Sequence, residues 1–249
     1  MLTLSHITYR VKDSGTVGAG KETEILSDIN LDLNERFVAI TGPNGSGKST
    51  LARLIAGIIR PTEGRILLDG QDITDMSVTD RARAGISYAF QQPVRFKGLT
   101  VRDLLTLAAG KPLSMGEACE YLSEVGLCAK EYVNREVNAS LSGGELKRME
   151  IAMILARGTK FSVFDEPEAG IDLWSFQNLI GVFRNMYEQT HGTILIISHQ
   201  ERILDIADRV IVLSGGRVTA DGSREDILPG LLHVTAGCAV AQGKETHNG

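Results

Sequence analysis

The stretch Gly42-Pro43-Asn44-Gly45-Ser46-Gly47-Lys48-Ser49-Thr50 decides the fold class, because it follows a short apolar strand and opens an amphipathic helix. Its glycines let backbone N–H groups turn toward a polyphosphate, and the helix N-terminus adds a partial positive charge. Lys48 is expected to reach the β- and γ-phosphates, Ser49 to ligate Mg²⁺, and Thr50 to donate near the α-phosphate. The alternative, a plain glycine-rich turn, is disfavoured by a Lys and a Ser at these offsets. The sequence therefore predicts a phosphate-binding loop (P-loop) for ATP or GTP.

The segments around this loop alternate between strands and helices. Phe37–Thr41 is a continuous apolar strand, and the helix after the loop should bury one face made by Leu51, Leu54, Ile55 and Ile58. Residues 2–9 and 25–33 alternate at period two and predict an antiparallel hairpin whose tip, residues 13–20, is a mobile loop. Further strands are predicted at 65–68, 86–90, 161–164, 193–197, 209–213 and 217–220, and helices at 173–187 and 203–207. This order is typical of a mainly parallel sheet covered on both faces.

The segment between residues 98 and 158 is predicted to be helical. Ser114 and Glu117 fit a capping box for a helix that ends at Gly126. We expect one domain over residues 1–249, with a nucleotide-binding core from 1–97 and 159–236. The helical subdomain then spans 98–158, and 237–249 form a flexible tail.

Composition limits the function classes. The chain has 249 residues, and 26 Lys plus Arg against 31 Asp plus Glu give a net charge of −5. This acidic balance argues against nucleic-acid binding. No apolar run approaches the roughly 20 residues of a membrane span, and the start does not resemble a signal peptide. The three cysteines suggest neither a disulfide framework nor a zinc site. A cytoplasmic protein is expected.

Two adjacent carboxylates, Asp165 and Glu166, end the strand at 161–164. Such a pair often only caps a strand, but behind a P-loop it has a defined chemistry. Asp165 is expected to hold Mg²⁺ through water, and Glu166 to orient and polarise an attacking water.

The run Leu141-Ser142-Gly143-Gly144-Glu145 resembles the LSGGQ signature of ATP-binding cassette (ABC) ATPases, beside the P-loop and the Asp165-Glu166 pair. Ser142 and Glu145 also fit a helix capping box, and both interpretations can hold together. The resemblance implies an ABC cassette, an α/β P-loop NTPase with a mainly parallel core sheet. An N-terminal antiparallel β subdomain and an inserted α-helical subdomain complete that fold.

The resemblance also assigns roles to four further residues. Tyr9 would stack on adenine, although a lone aromatic residue is more often a packing residue of its strand. Gln91, beside Gln92, would be the Q-loop glutamine and a Mg²⁺ ligand. Asp172 would be the D-loop aspartate, and His199 the switch histidine, although a His at a strand end is usually satisfied by backbone.

The family mechanism implied is a head-to-tail homodimer that traps two ATP molecules. Each ATP would lie on the P-loop of one copy and under Ser142, Gly143, Gly144 and Glu145 of the other, and hydrolysis would open the dimer.

The partner is suggested by residues around the signature and the Q-loop. The runs Leu141–Ile151, Ala82–Ile86 with Ala89–Val94, and His199–Leu204 resemble SufC cassettes of the SUF iron–sulfur cluster assembly system. That resemblance implies a soluble SufB/SufD-like scaffold as partner. The alternative is the ATP-binding subunit of a membrane transporter, with transmembrane permease subunits as partners and a membrane-peripheral location. The D-loop, Ala169-Gly170-Ile171-Asp172, departs from the SufC pattern.

Two finer expectations concern surfaces. We expect the partner to dock beside Gln91, in a groove between the sheet core and the segment from Gly98 to about Leu127. Lys147 is expected either to pair with Glu166 in the resting monomer or to be a solvated lysine on an exposed helix face.

Overall fold

The computed structural model describes residues 1–12, 22–92, 94–138 and 141–231. The strands are β1 Leu2–Lys12, β2 Glu22–Leu33, β3 Phe37–Thr41, β4 Glu63–Leu68, β5 Gln71–Asp72, β6 Ile86–Ala89, β7 Phe161–Asp165, β8 Thr193–Ile197, β9 Arg209–Ser214 and β10 Arg217–Ser223. The helices are α1 Lys48–Ala56, α2 Val78–Ala84, α3 Val101–Ala109, α4 Met115–Glu124, α5 Ala129–Tyr132, α6 Gly143–Arg157, α7 Leu173–Gln189 and α8 Glu201–Leu204, and residues 224–231 are also helical.

A six-stranded sheet in the order β10-β9-β3-β8-β7-β6 forms the core. Its strands pair in parallel except at the β9–β10 hairpin. Because parallel strands end at the same edge, the segments that follow β3, β7 and β8 come together there. These segments carry the P-loop, Glu166 and His199. The α/β cassette fold expected from the sequence is confirmed.

The second sheet is antiparallel, with the order β2-β1-β4-β5. Leu2 pairs with Leu33 and Lys12 with Glu22, which confirms the predicted hairpin. Its predicted mobile tip at residues 13–20 lies outside the described residues. The tail predicted over 237–249 lies outside them as well.

Strand alternation divides the core into two hydrophobic clusters. On β3, Val38 and Ile40 face the antiparallel sheet and α1, whereas Phe37 and Ala39 face the helical side. The helical side joins Leu104 of α3 and other residues of the 98–158 segment to α7. Burial on both faces explains why β3 is continuously apolar.

Two predicted helix details are wrong, and a third is confirmed. Helix α1 ends at Ala56 because Gly57 adopts a left-handed cap, so Ile58 is not on its buried face and is 39% exposed. Helix α4 begins at its predicted capping box, and its last helical residue is Glu124; Gly126 closes it as predicted, with φ 67° and its N–H on the carbonyl of Ser123. Helix α8 begins and ends earlier than predicted. Within the described residues, no helix combines the length and apolarity needed to cross a membrane.

Candidate functional site

The P-loop glycines are required by close backbone packing. Gly42 has φ 134°, and a Cβ there would lie 1.9 Å from the carbonyl oxygen of Leu213. Gly47 has φ 100°, and its Cβ would lie 2.6 Å from Leu26 Cδ2. A side chain at either position would therefore displace β9 or β2 as well as strain the backbone. The loop wraps the first turn of α1, where the unpaired backbone N–H groups lie.

Two buried polar groups of the loop are aimed at its interior. Lys48 is 5% exposed, and its Nζ donates to the carbonyls of Gly42 at 2.8 Å and Pro43 at 2.9 Å. Burial lowers the Lys48 pKa, while Glu166 and Asp165 act in the opposite direction. Buried Ser46 Oγ has no hydrogen-bond partner among the described residues. A cradle with a buried ammonium and an unsatisfied hydroxyl fits a phosphate group.

The next pair of residues connects the loop to β7. Ser49 Oγ donates to Oδ1 of Asp165 at 2.9 Å, and Tyr88 OH donates to Oδ2 at 2.9 Å. Asp165 is 2% exposed, and each of its carboxylate oxygens accepts one of these hydrogen bonds. Burial and the Asp165 charge raise the pKa of Tyr88, which keeps its hydroxyl a proton donor. A hydroxyl and a carboxylate in contact are an oxygen pair of the kind that Mg²⁺ accepts beside phosphates.

Glu166 lies between two polar partners. Gln91 Nε2 donates to its Oε2 at 2.6 Å, and His199 Nε2 lies 3.7 Å from its Oε1. Its φ of 46° is uncommon for a non-glycine residue and is held by the hydrogen bond from its N–H to Ile197 O. Burial, followed by the Lys48 charge, lowers the pKa of His199, while Glu166 raises it. The lowered pKa favours the neutral form of the ring. The contact to Glu166 distinguishes Gln91 from its neighbour Gln92.

Tyr9 and Asp172 have structural surroundings that the sequence also allowed. Tyr9 is half-buried on β1 opposite Leu26, the residue that packs against Gly47, so it lies on the P-loop side of the hairpin. Asp172 is the N-cap of α7, and its Oδ1 accepts from the N–H groups of Trp174 and Ser175, both at 3.0 Å. These N–H bonds hold the pKa of Asp172 below its ordinary value.

The signature run caps α6. Ser142 Oγ accepts from the Glu145 N–H at 3.2 Å, and the Ser142 N–H donates to Glu145 Oε2 at 2.6 Å. The predicted capping box is thus confirmed. Gly144 is buried, and a Cβ there would lie 2.7 Å from Ser175 of α7. A Cβ on Gly143 would lie 3.3 Å from Gly170 O, so the signature and the D-loop pack together within one copy.

Comparison with known proteins decides the family. The ABC transporter family model matches residues 26–169. An uncharacterised ABC transporter ATP-binding protein of Methanocaldococcus jannaschii, MJ0035, is 40% identical over 214 residues, which cover 82% of this chain and 85% of that protein. The chain belongs to the ABC transporter ATPase family. The cassette is therefore an ATP hydrolase.

Two further relatives extend the comparison of this ABC cassette. The lipopolysaccharide export ATP-binding protein LptB of Haemophilus influenzae is 31% identical, over 84% of this chain and 88% of that protein. The dimeric, post-hydrolysis structure of the cassette MJ0796 bound to ADP and Pi matches with a TM-score of 0.77 at 25% identity. That match covers 90% of this chain and 99% of the MJ0796 chain. The relatives do not show a particular closeness to SufC.

Both expectations for Lys147 are wrong. The residue is 2% exposed, and its Nζ donates to the carbonyl of Phe90 and lies 3.4 Å from Glu150 Oε2. The reason is its place on α6, on the side that packs toward the end of β6.

Sequence reasoning missed Glu150 and Tyr88 as well. The i,i+3 spacing of Lys147 and Glu150 is the signal that could have indicated their pairing.

Proposed function

We propose that this cassette binds and hydrolyses MgATP as the ATP-binding subunit of an ABC transporter and thereby drives conformational change in permease subunits. The observation that carries the proposal is one cluster at the carboxyl edge of the core sheet. There Ser49 contacts Asp165, and Glu166 contacts Gln91 and His199. The named functions of the relatives favour a transporter over the SUF system.

The P-loop is assigned to the phosphates of ATP. Residues 42–50 supply backbone N–H groups and the α1 N-terminus, and Lys48 would exchange its two backbone carbonyls for phosphate oxygens. Ser46, without a partner in the described chain, is a ready donor. Ser49 and Asp165 would hold Mg²⁺ together with the amide oxygen of Gln91, whose Nε2 bonds Glu166. When bound, Mg²⁺ would neutralise developing charge on the phosphate oxygens.

Glu166 is assigned as the general base. One of its oxygens accepts from Gln91 at 2.6 Å, and the other faces His199 at 3.7 Å. Gln91 therefore fixes the direction of the carboxylate, and Glu166 accepts a proton from water on its other oxygen. Neutral His199 can donate one hydrogen bond without adding a positive charge beside Lys48, which matches its lowered pKa.

The second copy is assigned to complete the site. Ser142, Gly143, Gly144 and Glu145 form a capped helix N-terminus, of which Ser142 and Gly143 are exposed. Such an end suits a γ-phosphate held by another molecule. The dimeric MJ0796 relative supports an ATP-dependent homodimer. Asp172, packed beside the signature, would lie at the same contact, and Tyr9 would stack on adenine of its own copy.

The permease is assigned to an apolar cavity of about 430 Å³ between the core and the helical segment. It is lined by Phe90 at the Q-loop and Leu107 of α3, which are 45% and 67% exposed. Exposed apolar side chains of this size around one cavity are typical of a docking surface for an apolar segment. The cavity is lined by Phe90, the residue before Gln91, so docking there can be linked to the nucleotide site.

The alternative partner is a SufB/SufD-like scaffold, which rests on sequence resemblance alone. Tagged protein should be isolated from its own cells in mild detergent, as wild type and as Leu107→Glu. Met115→Glu, at a 45% exposed position outside the cavity, is the matched control. The proposal is supported if a polytopic membrane protein copurifies with wild type and with Met115→Glu but not with Leu107→Glu. A soluble scaffold in its place would overturn the transporter assignment in favour of SUF.

A further inference from the structure

Phe90, the residue before Gln91, is held by two side chains of the signature helix. Glu150 Oε1 accepts from the Phe90 N–H at 3.2 Å, and Lys147 Nζ donates to the Phe90 carbonyl. Lys147 and Glu150 also contact each other at 3.4 Å. Both backbone groups of one residue are thus bonded by one buried ion pair. We name this pair, Lys147 with Glu150, the Phe90 clamp.

The Phe90 clamp supplies backbone hydrogen bonds just beyond the end of β6. Strand β6 is at the edge of the core sheet and ends at Ala89, so sheet pairing does not satisfy the backbone of Phe90. The side chains of Lys147 and Glu150 are 3% and 18% exposed, and burial raises the pKa of Glu150 while the Lys147 charge opposes that rise. A buried pair of this kind costs desolvation energy that hydrophobic residues would avoid. The pair therefore fits a role in position rather than in stability.

The next link reaches the catalytic site. Gln91 follows Phe90 directly, and its Nε2 is 2.6 Å from Oε2 of Glu166. The chain of contacts runs from α6, whose N-terminus is the signature, through the Phe90 backbone to Gln91 and Glu166. Each contact is a hydrogen bond with a defined direction, so a shift of α6 would displace Gln91.

From this geometry we propose that Lys147 and Glu150 are positioning residues for ATP hydrolysis. They fix Gln91 on Glu166 and link the placement of the signature helix to the orientation of the general base. The inference rests on the proposed function, since it takes Glu166 as that base. Among the described residues, no hydrogen bond or ion pair joins the clamp to residues 42–50, so it should act on turnover and not on ATP binding.

The test is steady-state ATPase kinetics of Lys147→Met/Glu150→Leu, which removes both charges together and leaves no buried charge unpaired. We expect kcat to fall about 10- to 100-fold, the scale of an ångström-sized misplacement, with KM for ATP unchanged. Glu150→Gln keeps an acceptor for the Phe90 N–H and should retain most activity. Lys130→Met is the matched control, because Lys130 is an exposed lysine of α5 in the same helical segment. Its kcat should stay within about twofold, as for a surface change.

A kinetic double-mutant cycle separates positioning from loosened structure. In a Gln91→Ala background, adding the clamp double variant should lower kcat no further, because both changes remove the same link. Multiplying effects, or an unchanged kcat in the clamp variant alone, would overturn the proposal. Glu166→Gln, assayed in parallel, keeps the two claims distinguishable. If Glu166→Gln still turns over, the proposed base is wrong, whereas inactive Glu166→Gln with a fully active clamp variant refutes only the clamp.

Discussion

Replacement of Tyr88 by Phe removes one hydrogen bond from the buried carboxylate of Asp165. The Tyr88 hydroxyl donates to Oδ2 at 2.9 Å, while Ser49 uses Oδ1. The Phe variant keeps the ring and its edge-to-face contact with Phe90 at 4.9 Å. The change therefore isolates the hydroxyl, and Oδ2 of a residue that is 2% exposed loses its partner.

The expected loss is that of a hydrogen bond to a charged group, about 1.5–3 kcal/mol of unfolding free energy. For a chain of this size each kcal/mol corresponds to roughly 2–4 °C, so the melting temperature should fall by about 3–12 °C. The measurement is thermal unfolding followed by circular dichroism without nucleotide. Linear extrapolation of urea unfolding gives the free energy directly.

Tyr121→Phe is the matched control. Tyr121 is partly buried against the core on α4, and its hydroxyl makes no hydrogen bond to the described residues. Its stability should change by less than about 0.5 kcal/mol. If Tyr88→Phe and Tyr121→Phe both have the wild-type melting temperature, the Tyr88 hydroxyl does not stabilise the Asp165 carboxylate.

Three further outcomes are expected. Lys48→Ala should weaken ATP binding more than about tenfold, because a charge-assisted phosphate contact is lost, and titration with a fluorescent ATP analogue measures this. Because the folded-state pKa of His199 is lowered, its contribution to stability is present above about pH 6.5 and decreases as pH falls through the folded value. His199→Gln should therefore lose stability less steeply than wild type below pH 6.5 in urea unfolding. Trp174, the single tryptophan, is 78% exposed beside Asp172. Its fluorescence emission should therefore shift to the blue when ATP closes a dimer of Glu166→Gln. An unchanged emission would mean that no second copy covers the D-loop.

The parts of the fold that were predictable depend on local patterns. The P-loop, the strand Phe37–Thr41 and the capping box at Ser114 are set by residue types within a few positions, and all three form as expected. The prediction that Ile58 lies on the buried face of α1 is wrong because Gly57 ends the helix before it. A glycine cap can end a helix even where the apolar periodicity continues.

The contacts that were not predictable connect distant parts of the chain. The sequence alone predicts Lys147 either paired with Glu166 or solvated, but the packing of α6 on the end of β6 buries it against Phe90. Tyr88 is another such case, since its hydroxyl meets Asp165 only when β6 pairs with β7. Periodicity could predict both elements, but the contact depends on which strands become neighbours.

The most direct test of the account is the solution mass of Glu166→Gln with and without MgATP, measured by light scattering after gel filtration. ATP should stay bound without turnover, since an amide cannot accept the proton. We expect a monomer of 26.9 kDa without nucleotide and a species of twice that mass with MgATP. A protein that binds MgATP but keeps the monomer mass, or that releases phosphate at the wild-type rate, would contradict it.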